Sequence, residues 1–430
     1  MARRLHGFVD AAQIPLHALS VRRAWVGLLL LAWWWRLRPL LDNRLHADEA
    51  LYGYWGLLIG RGVDPLLTTV PVYKPPLLPY LIAGAQALGG GSEFAIRLPG
   101  LAAGWLLIPL TGALFRALYA DRRGTLAAAI GVAMSPFAVL FSATAFTALP
   151  MVALGTAACL AAVRDRPLLA GLLVGLACSA KQTGLAWLPL TAGLLLTART
   201  DAVVRRWGRL ALGLLGPLLA VAAWDGARVA AGGRSFWEMG VAGYGGLRLI
   251  WPSELWPRLH AWAAVGRYLF VSPLVWLWLA VGTGMLLWRA VRSAPSPTAW
   301  ADVLTVSFAL GYGLFHWLLA FPVWDRYLLP LVPVLAVLLG RVVGRLRSGL
   351  VVLLLAILLL PVAVEAAHSR YPVGGDHGAY DGIEQVADYL RGRPAGSVVY
   401  QHWLGWHYAY YLFDAPIYRA YWPTPSWLAQ

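Results

Sequence analysis

Long apolar stretches recur along this chain, and the short polar breaks between them are rich in arginine. A helix that crosses a bilayer needs about 20 apolar residues. Stretches approaching that length fall at about 24–41, 98–115, 124–142, 145–163, 210–229, 264–288, 302–320 and 348–364, with shorter ones at 167–180, 184–197 and 327–340. The pattern predicts an α-helical polytopic membrane protein with about 11 transmembrane helices. Only a turn containing Lys181 parts 167–180 from 184–197, so tilted or half-length spans are expected there. A further apolar piece, 76–89, is 14 residues long. If it spanned, the Arg122–Arg123 break would fall on the opposite side from the other basic breaks. An interfacial or re-entrant helix is therefore expected.

Positive charge in short loops marks the cytoplasmic side. With the N-terminus inside, one side collects Arg3, Arg4, Arg22, Arg23, Arg116, Arg122, Arg123, Arg164, Arg166, Arg199, Arg205, Arg206, Arg209, Arg289, Arg292, Arg341, Arg345 and Arg347, against Asp10, Asp121, Asp165, Asp201 and Asp302. Arg22 and Arg23 before an apolar run, with no small-residue cleavage site, predict an uncleaved signal anchor. Composition agrees: 60% of the 430 residues are hydrophobic and 13% charged, against about a quarter charged in a soluble domain. That excludes an ordinary soluble enzyme. The net charge of +15 would suit a nucleic-acid binder, but the arginines are placed as a topology signal, and no nucleic acid is expected as a partner. Lysine is used only twice, at Lys74 and Lys181. Cys159 and Cys178 lie in apolar segments and form neither a zinc set nor a disulfide framework.

Three segments are expected outside: a first outer loop, 42–97, a smaller one near 230–263, and the tail from Glu365. In the tail a helix over Tyr380–Arg391, a strand over Ser397–Gln401, an aromatic helix and a second strand over Pro416–Arg419 predict a small C-terminal extracytoplasmic α/β domain, 367–430, after a transmembrane domain, 1–366. It holds too few strands to close a sheet, as a minimal or truncated domain would.

The first outer loop holds the candidate chemistry. It opens with His46-Ala47-Asp48-Glu49-Ala50-Leu51-Tyr52, an acidic pair just beyond a span. Tyr73-Lys74-Pro75-Pro76 follows, where two prolines fix the backbone after the lysine. Then comes Glu93-Phe94-Ala95-Ile96-Arg97, where Arg97 opens a span. The series HADEALYGYWG, VYKPPLLPYL and GSEFAIRLPG, continued by SAKQTGLAWLPL at 179–190 and WDRYLLPLVP at 324–333, resembles the C-fold membrane glycosyltransferases. The nearest groups are the protein O-mannosyltransferases and the lipid A aminoarabinose transferases.

The resemblance implies transfer of a sugar from a polyprenyl-phosphate donor to a protein, glycan or lipid acceptor outside the cytoplasmic membrane, with inversion. An aspartate activates the acceptor hydroxyl and fixed cations stabilise the leaving phosphate. By this resemblance Asp48 is the catalytic aspartate, and Glu49 orients the loop or contacts the acceptor. Lys74 and Arg97 contact the phosphate, with Lys181 and Arg326 as further candidates. Tyr52, Tyr73 and Tyr327 line the pocket. Relatives carry a second acidic residue in the outer turn between the third and fourth spans, where this chain has Ala148. The expectation of a divalent cation therefore lacks its second acidic motif, and an inactive relative stays open.

Plainer roles compete with these. An acidic pair at a helix start is also a cap, and a lysine at a membrane surface also snorkels. Arg326 beside Asp325 could be an ion pair capping a span. His316 inside a span would suit an interhelical hydrogen bond. His402 and His407 lie in an aromatic cluster, where domain packing competes with sugar contact. The rival function is a transporter or lipid translocator, which predicts ionisable residues at mid-span and an inverted repeat. The sequence shows neither.

Overall fold

The computed structural model describes residues 16–198, 202–244, 248–292, 294, 296–422 and 424. Arg3, Arg4, Asp10, Arg199 and Asp201 of the inner charge set, and the end of the tail, lie outside the described residues. The chain opens with α1 (Leu16–Asp42), α2 (Ala47–Gly60), α3 (Leu77–Gly89) and α4 (Glu93–Tyr119). A central group follows: α5 (Arg122–Met134), α6 (Pro136–Ser142), α7 (Ala148–Val163), α8 (Pro167–Ala180), α9 (Leu188–Ala198) and α10 (Val203–Ala230). Then come α11 (Phe236–Tyr244), α12 (Leu255–Gly266), α13 (Pro273–Arg292), α14 (Pro297–Leu318), α15 (Leu331–Arg345) and α16 (Gly349–Ala367).

Helices occur at all eleven predicted positions, and they differ in length. Among the described residues five, α4, α10, α13, α14 and α16, are long and apolar enough to cross a membrane, or six if the bent pair α5–α6 counts as one span. The predicted span at 184–197 is a 3-10 turn, Gln182–Trp187, leading into the 11-residue α9. The predicted span at 264–288 starts late, at Pro273, because Val271 adopts a positive φ of 59° and proline favours a helix's first position. The piece at 76–89 is the 13-residue α3.

The 54° bend between α5 and α6 has a local cause. Pro136 has no N–H to offer the carbonyl of Val132, its partner four residues earlier. The buried guanidinium of Arg36 on α1 supplies the missing donors, giving Nη2 to Val132 O at 3.3 Å, Nη1 to Ala133 O at 3.1 Å and Nε to Ser142 Oγ at 3.1 Å. One arginine inside an apolar helix therefore fixes the bend, and the bend sets where the following turn, 143–147, emerges. Small residues bring the other helices close: a Cβ at Gly171 on α8 would collide with Leu210 O on α10, and one at Gly100 on α4 with Thr144 O of the turn.

Breaks that the charge pattern assigns to one side do meet. Arg341 and Arg345 reach Asp302 at 3.0 and 3.8 Å, Arg206 reaches Asp165 at 2.8 Å, and Arg123 donates to Arg347 O. In the tail, α17 (Ile383–Arg391), β1 (Val398–Gln401), α18 (Gly405–Tyr411) and β2 (Tyr418–Tyr421) follow the predicted order. The two strands pair in parallel, Val398 opposite Tyr418. A small core of Ile383, Ala387, Tyr408 and Leu412 holds the unit. It is clamped onto the first loop: His407 Nε2 lies 2.8 Å from Leu45 O, Arg44 reaches Glu384 at 2.9 Å, and Tyr410 and Tyr411 donate to Gly91 O and Glu93.

Candidate active site

His46 caps α2. Its Nδ1 accepts from Asp48 N at 3.1 Å, while Glu49 Oε2 accepts from His46 N at 3.0 Å, a reciprocal capping box. Successive residues on a helix point about 100° apart, so the two acids of this first turn face different surroundings.

Glu49 faces inward and is fully buried. Its Oε1 accepts from Arg97 Nε at 2.9 Å and from Ala145 N at 2.8 Å. The same guanidinium gives Nη1 to Leu40 O at 3.2 Å and Asn43 O at 2.8 Å, and Nη2 to Arg44 O and Glu49 Oε2. All five donors of Arg97 are therefore committed within the protein. Glu49 is thus placed to orient the loop, the first of its two expected roles, and Arg97 keeps no donor over for the phosphate expected of it. The pair instead ties α1, α2 and α4 to the turn 143–147.

Asp48 faces the other way, with its side chain about a quarter exposed. Arg326 Nη2 lies 3.3 Å from Asp48 Oδ2, and Tyr73 Oη donates to Oδ1 at 3.4 Å. Arg326 does not cap its span by pairing with Asp325. The Asp325 carboxylate accepts from Arg326 N at 2.7 Å and from Gly374 N of the tail at 2.8 Å. That second contact needs Gly374 and Gly375 at positive φ of 68° and 77°, a conformation that glycine adopts without strain.

Two further cations complete the cluster. Lys74 is buried, with Nζ 5.1 Å from the Tyr73 ring. Burial pulls its ammonium down to about 8, Arg326 adds repulsion, and Asp48 opposes both. Lys181, in the turn after α8, is buried with Nζ 4.5 Å from the Tyr327 ring and makes no hydrogen bond. Burial pushes it well below the ordinary lysine range, helped by Lys74 and Arg326 and opposed by Asp325 and Asp48. Tyr52, one turn beyond Asp48 on α2, acts electrostatically on Arg326. Asp48, Lys74, Lys181, Arg326, Tyr52, Tyr73 and Tyr327 thus gather at one place.

Several contributors carry no sequence signal of their own. Phe146 of the turn and Trp324 lie 5.2 and 4.3 Å from the Arg326 guanidinium and flank it. Gln182 Nε2 donates to Tyr73 O at 2.9 Å, fastening the loop that carries Lys74 to the turn that carries Lys181. Ala148 is buried at the start of α7. Among the described residues no three His, Cys, Asp or Glu side chains gather to hold a metal ion. His316 bonds Tyr312 O of its own helix at 2.9 Å, and its carbonyl receives Arg258 Nη2 and Trp262 Nε1. The exposed His402 meets Trp422 O, while the buried His407 docks the tail.

The sequence model of the family described as dolichyl-phosphate-mannose-protein mannosyltransferase matches residues 73–224. No curated protein sequence matches the chain. Among solved structures, ArnT from Cupriavidus metallidurans bound to undecaprenyl phosphate is similar, with a TM-score of 0.68, 16% identity, and 94% of this chain and 86% of that one covered. The apo form of the same protein gives a TM-score of 0.69 at the same identity and coverage. The archaeal oligosaccharyltransferase AglB from Archaeoglobus fulgidus, in complex with an inhibitory peptide and a dolichol-phosphate, gives 0.53 at 13% identity, over 94% of this chain and 65% of that one. The chain therefore has the fold of the C-fold membrane glycosyltransferases, and residues 73–224 match the protein mannosyltransferase family in sequence.

Proposed function

We propose that this protein is a membrane glycosyltransferase that moves a sugar from a polyprenyl-phosphate donor to an acceptor on the outer face of the cytoplasmic membrane. One observation carries the reading: a carboxylate about a quarter exposed, Asp48, stands among three cations, Arg326, Lys74 and Lys181. The undecaprenyl phosphate held by ArnT and the dolichol-phosphate held by AglB support a lipid phosphate as the donor.

In this reading Asp48 takes the proton of the acceptor hydroxyl as its oxygen attacks the anomeric carbon. The bond from that carbon to the phosphate oxygen breaks with inversion, and its electron pair leaves on the phosphate. Lys74, Lys181 and Arg326 stabilise the charge that develops there. Tyr73 holds Asp48 from its far oxygen, and Tyr52 and Tyr327 line the cations. Glu49 and Arg97 fix the loop without touching the reacting atoms. The tail, 367–430, packed on that loop, would help choose among protein, glycan and lipid acceptors.

A second reading, a relative that binds the lipid-linked sugar without transferring it, has one observation in its favour, the absent carboxylate at Ala148. Transfer from a polyprenyl-phosphate sugar by purified wild type and Asp48→Asn, alongside mass spectrometry of lipids retained by wild type and Lys74→Ala, separates the readings. Transfer lost in the first variant and donor lost in the second support the enzyme. A donor retained by a wild type that transfers nothing supports the binder. Bulk phospholipid alone in both samples favours a transporter.

A further inference from the structure

We propose that the groove bounded by α1, α5 and α16 binds one anionic glycerophospholipid in the leaflet remote from Asp48. The groove has a volume of about 940 Å³ and is walled by apolar side chains, among them Leu28, Leu31, Leu126, Ile130, Val352 and Leu353. Its remoteness follows from α4, which begins beside Arg97 and runs 27 residues to Tyr119, roughly 40 Å at the helical rise. Asp121, Arg122 and Arg123, just past that far end, form the mouth.

The charge at the mouth selects the headgroup. Arg122 and Arg123 are exposed, and among the described residues neither is paired with a carboxylate. Asp121 is turned into the start of α5, accepting from Arg123 N at 3.1 Å and Gly124 N at 3.0 Å. The Arg123 guanidinium reaches back to Arg347 O, and the exposed Arg22 and Arg23 precede the groove wall on α1. Two guanidinium groups without a carboxylate partner, over an apolar trough, match a phosphate diester that carries acyl chains. The trough has room: a Cβ added at Gly27 or Gly349, on opposite walls, meets nothing within 4 Å. The cations of the candidate active site sit at the other end of the bundle, so this lipid would be structural rather than the donor.

The test uses the full-length protein in mild detergent. It is titrated with phosphatidylglycerol and, separately, with phosphatidylethanolamine of the same acyl chains, and retained lipid is counted by native mass spectrometry. Wild type should keep one phosphatidylglycerol roughly 25-fold more tightly than phosphatidylethanolamine. The double variant Arg122→Gln/Arg123→Gln should lose that preference, by roughly fivefold per arginine. Gly27→Leu, whose Cβ enters open space, should lower retention of both lipids, and Lys74→Gln should change neither. Should the double variant fail to fold, Gly27→Leu decides: retention at the wild-type level overturns the proposal. Equal retention of the two lipids by wild type overturns it as well, and so does one-for-one displacement by undecaprenyl phosphate.

Discussion

Asp48 and Glu49 are neighbours in sequence, yet their surroundings differ in every term that matters for charge. Glu49 is sealed, and its partner Arg97 spends all five donors inside the protein. Such a pair is matched within itself and has nothing left for a ligand. Asp48 is partly open, its contacts are long at 3.3 and 3.4 Å, and the cations around it outnumber the carboxylates. Lys74, Lys181 and Arg326 face Asp48 and Asp325, which leaves one positive charge in excess when all are ionised. A lipid phosphate would restore the balance. The lesson is that an incompletely satisfied charge cluster at a surface marks the working site, while the complete one beside it marks the scaffold.

The comparison breaks if the two acids respond alike to substitution. Asp48→Asn should lower transfer from a polyprenyl-phosphate sugar by about 10²–10⁴-fold, the range lost with a general base. It should shift the unfolding free energy by no more than about 1 kcal/mol, since the ion pair it removes is partly solvated. Arg97→Met should do the reverse. Taking one partner from a buried pair costs about 3–5 kcal/mol, so the unfolding temperature in detergent should fall steeply. Any variant protein that stays folded should retain donor binding. An Arg97→Met protein of normal stability that has lost the donor would return Arg97 to the phosphate.

Lys74→Gln tests a smaller effect within the open cluster. Charge-assisted hydrogen bonds contribute about 1.5–3 kcal/mol, so donor affinity should fall roughly 10–100-fold, with the fold intact. Titration of the purified variant with a polyprenyl phosphate reads this directly, and an unchanged affinity would mean that Lys74 serves the loop alone.

Much of this was legible because the signals were chemical. The apolar runs gave the helices, and the rarity of lysine pointed to Lys74 and Lys181. What failed was direction. Composition cannot show which of two adjacent acids faces inward, and the cap that turns Glu49 toward Arg97 depends on His46, a residue with no strong capping preference. Span lengths failed for a related reason. Val271 and the lone Arg36 interrupt or reshape helices through backbone geometry and through partners more than 90 residues away, which periodicity does not report. Phe146, Trp324 and Gln182 were invisible because each is an ordinary residue made useful by a neighbour that the fold delivers.

The finest test concerns protons. Burial and the neighbouring cations hold Lys74 down to about 8 and Lys181 well below its ordinary range, so near neutral pH Lys74 is mostly charged. An incoming phosphate favours the charged form of both and raises both values. Donor binding near pH 8 should therefore take up protons on Lys74, seen by calorimetry in buffers of different ionisation heat. As pH rises through 8 the charge on Lys74 is lost, and donor affinity should fall by at most about tenfold per pH unit. Stability of the unliganded protein should move the opposite way. Between about 8 and the ordinary lysine value of 10.5 the unfolded chain holds a proton on Lys74 that the folded one has released, so folding strengthens with pH across that window. The difference in unfolding temperature between wild type and Lys74→Gln isolates this term. Parallel rather than opposed trends would mean that the proton on Lys74 plays no part in holding the phosphate.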